Sequence, residues 1–250
     1  MSRGKVWLIG AGPGDPELLT LKAVRALSEA DVVLLDELVN RAVLVHAPRA
    51  RVVEVGKRGG CKSTPQAFIE RLMVRLARAG KIVARLKGGD PFIFGRGGEE
   101  MLVLRAAGID CEIVSGITSG IAASASLGIP VTHRGLAPGA IFVTGHSGGE
   151  LAPDWAQLAR SRMTLVIYMG MTQLPRIVAA LREGGLAADT PAAAIQNGTL
   201  DGQRSVVATL STLAQAVTVA GLASPAILVI GDVVSLAAVA REAEPLRRVA

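Results

Sequence analysis

The densest run of reactive side chains is RLKGGDPFIFGRGGEE, residues 85–100, with six ionisable side chains and five glycines in sixteen residues. Gly88 and Gly89 free the backbone for close approach to a ligand, and Asp90-Pro91 fixes a turn that leaves a carboxylate at the end of a strand. Arg96, Glu99 and Glu100 follow where the next helix begins. So many charges are costly for a loop that only connects, so this segment reads as a polar ligand site. A second run, LIGAGPGD at residues 8–15, is a strand followed by Gly10, Gly12 and Gly14, with Asp36 ending the next strand. Such a turn lets a nucleoside or dinucleotide approach a helix N-terminus, with Asp36 on a ribose. However, the third Rossmann glycine is missing, and Pro13 removes a backbone N–H, so the loop makes a poor phosphate cradle. A turn required by topology is the alternative.

Two more segments are plausible contributors. Lys57 and Arg58 in VGKRGG can meet an anion or simply be solvated. SGITSGIAA, residues 115–123, suits a polar ligand or tight helix packing. His46, His133 and His146 have no metal-ligand spacing, Cys61 and Cys111 form no CxxC, and no nucleophile elbow is present. No metal is therefore expected.

Alternating strands and helices must position these loops. Strands are expected at Lys5 to Gly10, Val32 to Asp36, Val52 to Val55, Ile82 to Leu86 and Cys111 to Val114. Helices are expected to open at Asp15-Pro16 and at Thr64-Pro65, the latter with Phe68, Leu72 and Leu76 on one face, and to span Gly97 to Ala107. This predicts an α/β domain over 1–128, a Pro/Gly-rich linker at 129–138, a second α/β domain over 139–241 and a charged tail at 242–250. In the second domain, strands are expected at Ala140 to Thr144, Thr164 to Met169, Ala192 to Gln196, Ser205 to Thr209 and Ala226 to Ile230, with helices near 172–183, 211–220 and 233–240. Each domain is predicted to carry a mostly parallel or mixed sheet of about five strands, with the active site in the cleft between them. All four loops of the first domain follow strand ends, where ligands bind in open α/β sheets.

Composition bounds the class. The 250 residues are 50% hydrophobic and 19% charged, enough for a sizeable core and against disorder. Aromatics at 3% argue against a stacking surface for nucleic acid. A mean hydropathy of +0.43 raises the membrane question. The two longest uncharged stretches, Ile113 to Thr132 and Ser205 to Gly231, are broken by Gly, Ser, Thr and Pro, so no membrane span is expected. The N-terminus meets Gly and Asp too soon for a signal peptide, and the cysteine usage suits the cytoplasm. The net charge of +6 fits an anionic substrate or an ordinary basic surface.

The combination GAGPGDPELLTLKA, VVLLDELV, VGKRGG, LKGGDPFIFGRGGEE, SGITSGIAA, IPVTHR and QNGT resembles the uroporphyrinogen-III C-methyltransferases, in the tetrapyrrole branch of the S-adenosylmethionine methyltransferases. The resemblance covers roughly residues 4–235. It implies methyl transfer to C2 and C7 of uroporphyrinogen III, giving precorrin-2 and S-adenosylhomocysteine, by a homodimer with two α/β domains. It also implies that Pro13 lies against the cofactor. Further cofactor contacts are implied for Gly88, Gly89, Asp90, Ile93, Thr118, Ser119, Met169 and Gly198, with the Ser224-Pro225-Ala226 turn as a further wall. Asp36 and Lys57 match a proton acceptor and donor, and Arg96, Glu99 and Arg134 match substrate-handling positions.

The residue types suit that chemistry. A pyrrole carbon is the nucleophile, so the task is alignment of carbon, methyl and sulfur. The methylated macrocycle must then lose a proton, and the residues leave the acceptor open between Asp36 and an arginine. A substrate with eight carboxylates gives the net charge, and Arg58, Arg96 and Arg134, a purpose. The length fits the methyltransferase alone, without a fused dehydrogenase/ferrochelatase or synthase half. Sirohaem, cobalamin and haem d1 pathways remain open, as does another precorrin methyltransferase of the same branch. An NAD(P)-linked oxidoreductase using GAGPGD and Asp36 is disfavoured by Pro13, and a non-catalytic adenosyl-ligand sensor by the richness of the 85–100 loop.

Overall fold

The computed structural model describes residues 4–56, 64–146 and 152–237. Lys57, Arg58 and the tail expected at 242–250 lie outside them. The chain divides into two compact units, Met1–Ser119 and Gly120–Ala250.

The first unit holds β1 (Lys5–Gly10), β2 (Val32–Leu35), β3 (Arg51–Glu54), β4 (Ile82–Lys87) and β5 (Asp110–Val114) in one parallel sheet, ordered β3-β2-β4-β1-β5. The central strands are apolar runs because helices bury both faces. Helix α1 (Leu21–Glu29) packs with Trp7, Ile9, Val33 and Leu35 on one face. Helices α2 (Gln66–Arg78) and α3 (Gly97–Ala106) pack with Val6, Leu8, Leu34 and Val83 on the other. The chain thus leaves β1 and β4, neighbours at the sheet centre, towards opposite faces. This is the topological switch point, where a crevice forms at the carboxyl ends.

Two helix expectations shift. Asp15 caps only a short 3₁₀ turn over Pro16–Leu18, and the α-helix starts after Thr20, whose Oγ1 accepts the Ala23 N–H at 3.1 Å. In α2 the buried stripe is Ile69, Leu72, Met73 and Ala77, and Phe68 is 47% exposed. The core-facing stripe is thus one residue out of step with the Phe68–Leu72–Leu76 spacing.

The second sheet contains β6 (Ala140–Thr144), β7 (Thr164–Tyr168), β8 (Pro191–Gln196), β9 (Arg204–Thr209) and β10 (Ala226–Ile230), ordered β6-β7-β10-β8-β9. Only β6 and β7 pair in parallel, so this sheet is mixed. Helices α5 (Trp155–Ala159), α6 (Leu174–Glu183) and α7 (Leu213–Val219) cover the face carrying Leu165, Ile167, Ala194 and Leu228.

The boundary between units falls earlier than the expected 128. Helix α4 (Ser119–Ala125) is held by the second sheet. The Gly120 N–H donates to the Tyr168 hydroxyl at 2.8 Å, and a Cβ on Gly198 would collide with Ala123. Ser126 Oγ then donates to Gln203 Oε1 at 2.9 Å. The 129–138 segment is not a free linker. Its tight turn is closed by mutual His133 and Ala137 backbone bonds of 3.0 Å. Among the described residues, no helix is long and apolar enough to cross a membrane.

Candidate active site

Three loops of the first unit meet backbone to backbone at the switch point. The Gly89 N–H donates to Gly12 O at 2.7 Å and the Gly12 N–H to Gly89 O at 3.2 Å, so the loops after β1 and β4 form one short bridge. A Cβ on Gly10 would lie 2.5 Å from both Gly116 N and Gly89 O, which explains why these contacts need glycine. Gly89 itself takes φ +64°. Asp90 ties this floor together. Its Oδ2 accepts the Gly116 N–H at 3.1 Å and its Oδ1 the Phe92 N–H at 2.8 Å. Gly88, Gly89, Asp90, Thr118 and Ser119 are therefore neighbours, with the Ser119 nitrogen 3.6 Å from where a Gly89 Cβ would be. Pro13 sits between Gly12 and Gly14, and Asn40 Nδ2 pins that turn through Gly14 O at 2.9 Å. Ile93 closes the turn at Asp90 O, 3.3 Å away.

Beyond Ile93 the backbone is strained: Phe94 and Arg96 have φ of 52° and 58°. Such conformations persist where surrounding structure over-determines them, often at functional sites. Arg96 and Glu99 are exposed and paired, Nε lying 3.0 Å and 3.1 Å from the two carboxylate oxygens. The hydrogen bond to Glu99 raises the Arg96 pKa, and the same bond lowers that of Glu99. Arg96 thus already has a carboxylate partner, and a substrate carboxylate would compete with Glu99 for its fork.

Beside the floor lies a buried charge cluster. Asp36 follows β2, with its side chain 35% exposed. Arg85 Nη2 reaches Asp36 Oδ2 at 3.1 Å, and Lys87 Nζ stands 4.0 Å from the same oxygen. Behind them, fully buried Glu100 takes Arg85 Nε at 3.1 Å and Lys87 Nζ at 3.2 Å on its Oε1. Burial, then the Arg85 charge, push the Lys87 pKa below the ordinary lysine value, while Glu100 and Asp36 pull it back up. Sequence reasoning missed Arg85 and Lys87 as site residues. The visible signal was their i, i+2 spacing, which puts both on one face of β4.

The second unit gathers its own residues. β10 lies antiparallel between β7 and β8, so the ends of β7 and β8 and the start of β10 share one sheet edge. Ala226 pairs with Gln196, and Ile227 with Tyr168. Met169, Gly198 and Ala226, far apart in sequence, thereby converge. Met169 is 51% exposed with φ 53°, and Asn197 and Thr199 also have positive φ, at 51° and 70°. The Ser224-Pro225 peptide preceding Ala226 is cis. Arg134 is exposed on the 133–137 turn. The described residues contain no cluster of three or more His, Cys, Asp or Glu able to hold a metal.

A doubly wound sheet with a glycine floor at its switch point and a carboxylate beside it defines a small-ligand α/β enzyme site. The sequence profile of the tetrapyrrole (corrin/porphyrin) methylases matches residues 5–214, and the chain belongs to that family. It is 58% identical over 230 residues to a uroporphyrinogen-III C-methyltransferase of Pseudomonas aeruginosa, covering 92% of this chain and 94% of that one. A solved uroporphyrin-III C-methyltransferase from Thermus thermophilus, complexed with S-adenosyl homocysteine, superposes with TM-score 0.80 at 43% identity, covering 93% of this chain and 100% of that one. A cobalt-precorrin-4 methyltransferase superposes as well, TM-score 0.82, at 30% identity over 92% of this chain and 95% of that one.

Proposed function

We propose that this chain transfers methyl groups from S-adenosylmethionine to C2 and C7 of uroporphyrinogen III, giving precorrin-2. The observation that carries this is the 58% identity, over nearly the full length of both chains, to an enzyme named uroporphyrinogen-III C-methyltransferase. Fold alone does not choose the substrate, since the cobalt-precorrin-4 methyltransferase superposes equally well. Identity does favour one reading: 43% to the uroporphyrin enzyme against 30% to the later-precorrin enzyme.

The residues suit an adenosyl ligand. A floor without side chains, built from Gly10, Gly89 and Gly116, lets backbone groups approach polar ligand atoms closely. Bound S-adenosylmethionine supplies an already activated methyl group. In this reading Pro13, Gly88, Gly89, Asp90, Ile93, Thr118 and Ser119 hold it from the first unit, and Met169, Gly198 and Ala226 from the second. Asp90 acts chiefly by shaping the floor, because both its oxygens are engaged by backbone N–H groups. Arg96 and Arg134 bind substrate carboxylates, with Glu99 orienting Arg96. Asp36 takes the proton that the cationic macrocycle must lose after each C-methylation, and Lys57 is the proton donor. The enzyme works as a cytoplasmic homodimer.

Incubation with S-adenosylmethionine and enzymatically generated uroporphyrinogen III, without oxygen, tests this. Mass spectrometry should find one, then two, added methyl groups. Methylation of a later precorrin but not of uroporphyrinogen III would replace the reading.

A further inference from the structure

On β4, Val83, Arg85 and Lys87 share one face, and α2 and α3 cover it. Apolar side chains are expected at all three positions. Instead two cations are buried there, 2% and 3% exposed, against Glu100 at 0%. Glu100 Oε1 alone accepts from Arg85 Nε, Lys87 Nζ and Gln66 Nε2, at 3.1 Å, 3.2 Å and 3.0 Å. Its Oε2 is buried with no hydrogen-bond partner among the described residues. Buried ion clusters of this kind are often no more stabilising than apolar side chains of the same volume. Stability therefore gives a poor reason for the arrangement.

Asp36, with its side chain 35% exposed, carries the cluster towards solvent. Its Oδ2 takes Arg85 Nη2 at 3.1 Å with Lys87 Nζ at 4.0 Å, while its Oδ1 accepts the Glu37 N–H at 3.0 Å. We propose that Lys87 and Glu100 are positioning residues for the reaction: Glu100 holds the two cations side by side, and they fix the Asp36 carboxylate beside the loop floor. This rests on the reading that Asp36 accepts the proton. Among the described residues, the charged groups facing Lys87 are Arg85 of its own strand, Glu100 of α3 and Asp36 after β2, Glu99 of α3 also feels its charge, and neutral Gln66 of α2 donates to Glu100. Burial and Arg85 both weaken the hold of Lys87 on its proton, and Glu100 offsets them. Without the Glu100 charge, Lys87 loses its proton at lower pH and the support of Asp36 goes with it.

The test compares Lys87→Met/Glu100→Leu, Glu100→Gln and Asp36→Asn with wild type. It measures melting temperature, S-adenosylhomocysteine affinity, and kcat and KM for uroporphyrinogen III across pH. The double variant removes one positive and one negative charge together, and buried Arg85, though it loses Glu100, keeps Asp36 as a charged partner. It should stay folded and bind S-adenosylhomocysteine within about twofold of wild type, yet lose about tenfold or more in kcat, as a misplaced catalytic group does. Glu100→Gln, which keeps the shape if the double variant folds poorly, should lose kcat progressively as pH rises. Wild-type kcat and pH profile in whichever of these folds would overturn the positioning role. Full turnover in Asp36→Asn would instead overturn the proton-acceptor reading beneath it. A slow Asp36→Asn beside a fully active double variant overturns only the positioning role.

Discussion

The Asp90 carboxylate accepts the Gly116 N–H at 3.1 Å, joining the loop after β4 to the loop after β5 across the end of β1. With the mutual Gly12–Gly89 backbone bonds, this makes the three loops of the switch point one unit. A ligand resting on this floor would depend on the Asp90 carboxylate that ties the floor together.

Asp90→Ala should therefore lower both the melting temperature and the affinity for S-adenosylhomocysteine. Losing charge-assisted hydrogen bonds of this type costs about 1.5–3 kcal/mol. Asp90→Asn keeps one acceptor oxygen and should fall between. Calorimetry with thermal melting checks this, and unchanged values in Asp90→Ala would remove Asp90 from the floor.

Gly116→Ala probes the same junction sterically. The added Cβ would fall far inside contact distance of Gly89 O and lie 2.8 Å from the Gly10 backbone. Backbone atoms have no rotamer by which to escape, so the loops must separate. The variant is expected to bind S-adenosylhomocysteine at least tenfold more weakly, a loss of about 1.4 kcal/mol or more. Gly98→Ala, where a Cβ meets nothing within 4 Å, is the control and should bind as wild type.

Arg96→Lys and Arg134→Lys keep the charge and lose the planar fork. Each should reduce kcat/KM for uroporphyrinogen III with S-adenosylhomocysteine affinity intact. For Arg96 the loss includes its paired bonds to Glu99. Steady-state kinetics on both variants decides, and unchanged kcat/KM in both would exclude bidentate carboxylate binding.

Burial pushes the Cys111 thiol from 9.0 up to about 11. Its folded value is raised, so the associated stability is present below pH 9.0 and is lost as pH rises through about 11. In a Cys61→Ala background, iodoacetamide should leave Cys111 nearly unmodified at pH 8 and label it only as the solution approaches pH 11. Rapid labelling of the folded protein at pH 8 would contradict the burial.

The sequence's apolar runs and Gly/Pro punctuation made the strands of both sheets legible, and the family motifs marked the loops at their ends. Three things were hidden. The antiparallel insertion of β10 between β7 and β8, which unites Met169, Gly198 and Ala226, is a choice of pairing that local patterns do not encode. The place of α4 depends on small-residue contacts, Gly120 against Tyr168 and Ala123 against Gly198, invisible without the partner strands. Arg85 and Lys87 broke the rule that charge faces water, because their common partner Glu100 lies a whole loop later in the chain.

The central claim, that Asp36 takes the proton in a methyl transfer, is tested most directly by Asp36→Asn under single-turnover conditions with saturating S-adenosylmethionine and uroporphyrinogen III. The variant keeps the side-chain shape and removes the charge that meets Arg85 at 3.1 Å. Its S-adenosylhomocysteine affinity should stay close to wild type while turnover falls about 10²–10⁴-fold, the span of a general acid–base group. Wild-type turnover in that variant, or a loss confined to cofactor affinity, would contradict it.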